Sequence, residues 1–480
     1  MPSDLIKKDQ QYIWHPFTAQ KPKPEQIAIV KGEGSLLFDE NAKSYIDAIS
    51  SWWVTIHGHA HPYIAEKIYK QALTLEQVIF AGFTHAPAVN LAERIIGILP
   101  GNFSKVFYSD NGSTATEVAL KMAIQYWRNK GEIESGKSKI ENEIQNTFTA
   151  ETQRNSEGLL AVSPLSGREG PGVSNESEIQ LPQRKKILAF KNSYHGDTFG
   201  AMSVSDRGIF TLAFHDFLFE VIFIDTPTTE NIGDIKDIIH EHGKGIACFI
   251  YEPLVQGAGG MKMTDPYLLN ELINTARLND IICIADEVMT GFGRTGRLFA
   301  SEYLEKKPDI ICLSKGLTGG TMALGLTACT EQIHSAFVTD NKLNTFFHGH
   351  SFTANPIACT AALASLDLLE KESCITQIEW ICRQQANFIE KLMNNADLYP
   401  HKIHSPRQLG TIAAFEISSG ADEYLNSISS DITRKCMKLG VYLRPLGNTV
   451  YIMPPYCIKK EEMEKIYDVL LSVLVNQVFV

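Results

Sequence analysis

At 480 residues the chain is about three times the usual length of one domain, and with 44% hydrophobic and 21% charged residues it has the composition of a globular protein rather than a disordered or fibrous one. A net charge of -11 excludes the basic surface that releases counterions from nucleic acid, and no window reaches the roughly 18 consecutive apolar residues that span a bilayer. The expectation is a cytoplasmic small-molecule enzyme with no nucleic-acid or membrane partner.

The first residues, MPSDLIKKDQQYIW, lack the apolar centre of a signal peptide. All nine cysteines lie at or beyond Cys248 with no CxxC spacing, and read as reduced core thiols. His57, His59 and His61 crowd one short stretch, but no matching cysteine or carboxylate pattern accompanies them, so no metal is expected.

In chain order, the first tract that carries chemistry is Ser109 to Glu117, SDNGSTATE. It runs into a helix whose apolar face, Ala115, Val118, Ala119, Met122, Ala123 and Tyr126, recurs at spacings of three and four. Thr114 and Glu117 have capping-box spacing, which predicts a helix start just after Gly112 and Ser113. Free amides at such a start form a phosphate cradle, with plain N-capping as the alternative. From about Gly131 to Arg184 the chain turns rich in Glu, Ser, Asn and Lys without sustained periodicity, and reads as a solvated insertion.

Five apolar runs follow: KKILAF, EVIFID, GIACFIY, IICIAD and DIICLS. Unbroken hydrophobicity over about five residues marks strands buried on both faces of a parallel sheet, and an amphipathic stretch from Pro266 to Leu278 supplies a crossover helix. IICIAD runs straight into Asp286 and Glu287, and a carboxylate at the mouth of such a sheet suggests a cationic group to oppose. The next residues, Gly291 to Gly296, formally match GxGxxG. Two carboxylates and three more residues separate the strand from the first glycine, so a dinucleotide site is rejected. Lys315 then emerges from DIICLS into a glycine-rich loop, where desolvation would lower its pKa towards nucleophilic use as a Schiff-base lysine. Cradle, strand-end carboxylate and strand-end lysine are the parts that hold pyridoxal phosphate. Beyond about residue 369 come a helical tract, Ser373 to Met393, three short strand-like runs and a final helix from Lys459, read as a smaller α+β domain.

These residues, with WHPFT, SSWW, IHGHAHP, THAPA, NSYHGDTFGAMSVSD, EPLVQGAGGM, ADEVMTGFGRTG, LSKGLTGGT, FFHGHSF and LRPLG in that order, make the chain resemble the class III aminotransferases of the fold-type I pyridoxal-phosphate superfamily. The resemblance implies a large α/β domain over residues 51–368 with a mainly parallel sheet, and a small α+β domain built from residues 1–50 and 369–480. It implies a homodimer with shared sites. Lys315 would be the cofactor lysine, Asp286 the partner of the pyridinium nitrogen, Gly112 and Ser113 the phosphate holders, and Tyr194 the ring lying against the cofactor. His350 and Ser351 match a segment that reaches the phosphate of the opposite subunit. Phe17, Trp52, Trp53, Tyr194, Gly349 and Arg444 match substrate-binding positions, with Arg444 placed for a carboxylate. The likeness is strongest to the branch that aminates 8-amino-7-oxononanoate in biotin biosynthesis. The amino donor it implies is S-adenosylmethionine, with lysine as the alternative; an omega-aminotransferase or aminomutase on the same scaffold is the further rival. Met289 departs from the glutamine that many relatives carry, and Phe17 replaces a tyrosine of some synthases.

Overall fold

The computed structural model describes residues 3–21, 26–135, 184–395, 403–418 and 427–475. Its strands are β1 (Ile29–Glu33), β2 (Leu36–Asp39), β3 (Ser44–Asp47), β4 (Phe103–Ser109), β5 (Lys186–Phe190), β6 (Ile222–Ile224), β7 (Ile246–Tyr251), β8 (Val255–Gln256), β9 (Lys262–Met263), β10 (Ile282–Asp286), β11 (Ile310–Leu313), β12 (Gly325–Thr330), β13 (Ile403–Leu409), β14 (Ile412–Ile417), β15 (Val441–Tyr442) and β16 (Thr449–Ile452).

The five apolar runs become β5, β6, β7, β10 and β11 of a seven-stranded sheet in the order β4-β12-β11-β10-β7-β5-β6. Only β12 runs against the rest. Every residue of β7, β10 and β11 is buried, which is why these strands show no alternation in the sequence. Helices cover the faces, among them Gly112–Ser135 and the expected Pro266–Leu278. Because β5, β7, β10 and β11 are parallel, their carboxyl ends share one edge, and Tyr194, Glu252, Asp286 and Lys315 follow those ends closely.

Two smaller sheets complete the frame. β1, β2 and β3 join β15 in a four-stranded sheet, with Asp47 of β3 beside Tyr442 of a parallel β15; β13, β14 and β16 form an antiparallel sheet. The segment 29–47 is thus paired with a strand some 400 residues away. The helices Glu372–Asn394 and Lys460–Val475 lie where the amphipathic tracts put them. Among the described residues no helix is long and apolar enough to cross a membrane.

Two expectations need correction. The polar stretch does not begin at Gly131, because the helix from Gly112 runs on to Ser135; residues 136–183 lie outside the described residues. The chain re-enters at Arg184, whose guanidinium sits 4.2 Å from the Trp127 ring centroid and donates to the carbonyls of Gly243, Ile246 and Asn279. Nor does the Thr114–Glu117 capping box form. The helix starts at Gly112, Asn111 Oδ1 accepts from the Thr114 amide at 3.0 Å, and the Glu117 carboxylate instead accepts from the Gly200 and Ala201 amides. Capping-box spacing thus occurs without the box because both side chains found other partners.

Candidate active site

The carboxyl edge of the sheet opens into a cavity of about 660 Å³. Asp286, Lys315, Tyr194, Gly112, Ser113 and Trp53 line it together, so the sequence-derived set converges from five separate stretches of chain.

Asp286 is buried at the last position of β10. Its Oδ2 accepts from His195 Nδ1 at 2.7 Å and its Oδ1 from the Val288 amide at 3.0 Å, which fixes the carboxylate against the cavity. The next residue, Glu287, points away as strand alternation requires, and is fully buried with Thr290 Oγ1 and the Ala300 and Ser301 amides as donors. The DE pair therefore divides into one acid for the site and one for the loop after it.

Lys315 has a left-handed backbone (φ 45°), and its Nζ lies 4.7 Å from the centroid of the Trp53 ring. Burial holds this amine below the usual lysine pKa; Asp286 and Glu252 oppose the shift, and the charge of Arg294 adds to it. A buried lysine amine of lowered basicity is suited to attack a carbonyl and to carry protons.

At the start of the helix Gly112–Ser135, the Gly112 and Ser113 amides have no acceptor among the described residues, and Ser113 Oγ accepts from the Asp197 amide at 3.1 Å. A Cβ at Gly112 would lie 2.7 Å from Val288 Cγ1, so the backbone approaches β10's exit as only glycine can. Two free amides, a hydroxyl and a helix N-terminus fit a phosphate; Lys315 and Asp286 across the cavity fit the aldehyde and ring nitrogen of the same molecule.

Sequence reasoning missed four buried charged or polar groups. His195, beside Tyr194, orients Asp286, and its Nε2 is buried without a partner among the described residues. Glu252 follows β7 as Asp286 follows β10, so the same strand-end signal marked it. It accepts from the Tyr194 and Gly257 amides, and burial, reinforced by Asp286, pushes its carboxyl up to about 7. The other two are Glu287 and Arg294. Arg294, inside GFGRTG, is fully buried and donates to the carbonyls of Pro454 and Trp53 rather than to a carboxylate. Burial raises the Tyr194 phenol well above its usual value, with Asp197 next in effect.

Phe17, Trp52 and Arg444, expected at the substrate site, do not line this cavity themselves; they form an adjoining wall, next to the lining residue Trp53 and drawn from the chain's two ends. The Trp52 ring carries the Arg444 guanidinium at 4.9 Å from its centroid and meets Phe17 edge-on at 5.4 Å; Phe17 also meets Phe210 at 5.7 Å. Met289 is buried beside Trp53 against Gly257. Gly349, His350 and Ser351 do not line this chain's own cavity; the Ser351 carbonyl accepts from Gln77 and the His350 amide donates to Thr353.

A cavity with a lysine, a strand-end carboxylate and a phosphate cradle on a parallel sheet defines a pyridoxal-phosphate enzyme, and the class-III aminotransferase family model matches residues 17–474. The chain belongs to that family and is a pyridoxal-phosphate-dependent aminotransferase. It is 41% identical over 475 residues to the adenosylmethionine-8-amino-7-oxononanoate aminotransferase of Synechococcus elongatus, covering 96% of this chain and 98% of that protein. It is 33% identical to the enzyme of the same name from Staphylococcus aureus, covering 96% and 95%. The crystal structure of the Methanocaldococcus jannaschii adenosylmethionine-8-amino-7-oxononanoate aminotransferase is similar with a TM-score of 0.82 at 30% identity, covering 98% of each chain.

Proposed function

We propose that this chain transfers an amino group from S-adenosylmethionine to 8-amino-7-oxononanoate, giving 7,8-diaminononanoate for biotin biosynthesis. The observation that carries the reading is the cavity itself, with Lys315 and Asp286 in its lining and the Trp52–Arg444 pair adjoining it next to the lining residue Trp53, in a chain similar along its length to relatives of that name.

Bound there, pyridoxal phosphate supplies a carbonyl carbon that takes up the amino group and a ring that draws electrons from the carbon being deprotonated. The rest is done by side chains. The Gly112 and Ser113 amides would hold the phosphate, and Asp286, steadied by His195, would face the ring nitrogen. Lys315 would move the proton of the donor's α-carbon, and the burial that lowers its basicity favours that role. The second half-reaction runs the same movements on the ketone, whose carboxylate pairs with Arg444 while Trp52 covers the aliphatic chain.

The test is single-turnover change of cofactor absorbance with S-adenosylmethionine or lysine at equal concentration, then product formation on adding the ketone. Conversion by lysine alone would reassign the donor and leave Lys315, Asp286 and Arg444 in their roles. Phe17 keeps a stacking face but lacks the hydroxyl of a tyrosine, which weakens adenine binding and resembles the lysine-using branch, whereas the paired Trp52 and Trp53, whose rings can face a sulfonium cation, favour S-adenosylmethionine.

We also read the enzyme as a homodimer with shared sites. Gly349, His350 and Ser351 lie outside their own cavity, and large apolar side chains stand exposed at Phe347 and Phe352 on either side of them. Mixing Lys315→Ala subunits with Ser351→Asp subunits, each inactive alone, then restores activity, since one site of each heterodimer keeps both native residues. No recovery after verified exchange would contradict the shared site.

A further inference from the structure

The segment Ser50–Trp53 holds three non-glycine residues in the left-handed region within four positions, Ser50 at φ 52°, Ser51 at φ 61° and Trp53 at φ 69°. Such backbone costs energy at every residue and persists only where its surroundings over-determine it. The two tryptophans of the site ride on this turn, so the groups that hold it also set the wall of the cavity.

Asp47 ends β3 immediately before the turn and is wholly buried. Its Oδ1 accepts from the Ile49 amide at 3.2 Å. Its Oδ2 accepts from the Ser51 amide at 2.6 Å, Ser51 Oγ at 3.1 Å and His59 Nε2 at 2.9 Å. Two of these four contacts bind the turn directly, both at Ser51, its most contorted residue, and a third holds Ile49 just before it. From the other side, Arg294 Nη2 donates to the Trp53 carbonyl at 3.2 Å, Trp53 Nε1 donates to Tyr451 Oη at 3.0 Å, and Ser50 Oγ donates to the Met453 carbonyl at 2.9 Å.

The pairing of β3 with β15 gives this clamp a functional direction. The two strands are parallel with Asp47 beside Tyr442, so they leave the sheet on the same side, one towards Trp52 and the other towards Arg444. Their products meet, the guanidinium lying over the Trp52 ring, while Trp53 turns inwards over Lys315. We infer that Asp47 is a positioning residue for recognition of the acceptor's carboxylate: by holding the strained Ser50–Trp53 turn, it presents Trp52 as the platform that orients Arg444. The inference rests on the acceptor proposed above.

The experiment compares kcat/KM for 8-amino-7-oxononanoate and for its methyl ester, which has no carboxylate to meet Arg444, in wild-type holoenzyme, Asp47→Asn and Asp47→Asn/Ser51→Gly. An amide in place of the carboxylate cannot accept from all of these donors, so the turn relaxes. Asp47→Asn is expected to lose about tenfold on the acid, mainly through KM, and little on the ester. Glycine at position 51, which takes positive φ freely, is expected to restore part of that preference. An unchanged ratio, or an equal fall on both acceptors, overturns the inference. His59→Gln, which removes one contact at the edge of the network, is expected to show the same fall in smaller measure and serves where Asp47→Asn does not fold; an unchanged ratio there overturns the inference equally. If the wild type itself shows no preference for the acid, the proposed acceptor fails. The positioning role is then decided by the pH midpoint of the visible cofactor band, which shifts in Asp47→Asn if Trp53 leaves Lys315 and stays fixed if Asp47 does not position the turn.

Discussion

The floor of the cavity and the wall that adjoins it are built on opposite principles. Asp286, Glu252 and Lys315 follow the ends of three neighbouring strands, each buried along its length, and all three come from one stretch of about 65 residues. Phe17, Trp52 and Arg444 come from the two ends of the chain and meet only because β3 and β15 pair; Phe17 and both serines before Trp52 have left-handed backbone. A regular sheet fixes the atoms that must do chemistry. Irregular backbone, held by hydrogen bonds, fixes the residues proposed to choose the substrate, and such a wall changes with fewer consequences for the core.

Breaking the floor therefore has the largest effect. In Lys315→Ala, transamination and the visible absorbance of the lysine-bound cofactor are expected to be lost, because no other lysine lines the cavity among the described residues. A borohydride-stable adduct on a different lysine would refute the assignment. Breaking the wall costs less and costs it selectively. If Arg444 pairs with the acceptor's carboxylate as proposed, Arg444→Ala is expected to remove a charge-assisted contact of about 3 kcal/mol, which corresponds to roughly a hundredfold rise in KM for the oxononanoate. The donor half-reaction, followed by single-turnover absorbance, stays within a few-fold of wild type; an equal loss in both halves would mean that floor and wall are not separable.

The same contrast governs what could be read from the sequence. Strand-end residues are legible because an unbroken apolar run announces a doubly buried strand and the first charged residue after it must find a partner. That rule located Asp286 and Lys315, and applied to GIACFIY it also points to Glu252. His195 carried no such mark, since its role depends on β5 and β10 bringing residues 195 and 286 together. The wall was legible only through likeness to a family. Nothing in the alternation or charge of SSWW signals three left-handed residues, and no local pattern tells that Val441–Tyr442 pairs with Ser44–Asp47. The capping-box spacing at Thr114 shows the reverse, a local signal overruled when Glu117 was drawn to the Gly200 amide.

A smaller effect separates floor residues that bear charge from those that merely could. The Glu252 carboxyl is pushed up to about 7 from an ordinary value of 4.5, chiefly by burial. Its folded pKa exceeds its unfolded one, so between these values the folded protein binds more protons than the unfolded chain. The stability this group contributes is present in full below about pH 4.5 and is lost as pH rises through about 7, a change of about 3 kcal/mol at most. Glu252→Gln, neutral at every pH, flattens that part of the profile. Urea unfolding of the two apoproteins at pH 5 and pH 8 is the measurement. The wild type should lose stability relative to the variant at pH 8, and parallel profiles would show that the carboxyl titrates normally.

The smallest effect is expected for the polar segment 136–183, which lies outside the described residues. Residues 136–183 are polar and carry few of the apolar anchors that tie a segment to a core. Both flanks are secured without them. The helix before is anchored by Ala115, Val118, Ala119, Met122, Ala123 and Tyr126 in a buried cluster, and the chain after is pinned by Arg184 through its stack on Trp127 and three backbone carbonyls. Because Trp127 belongs to that same helix, the two flanks already touch across the gap. Replacing 136–183 with a short Gly-Ser linker is expected, from the segment's polar composition, to leave cofactor affinity and kcat within about twofold of wild type. Gel filtration and cofactor titration of the shortened enzyme decide it. A subunit that no longer pairs, or a cofactor that dissociates, would mean that the segment reaches a partner surface and belongs with the wall.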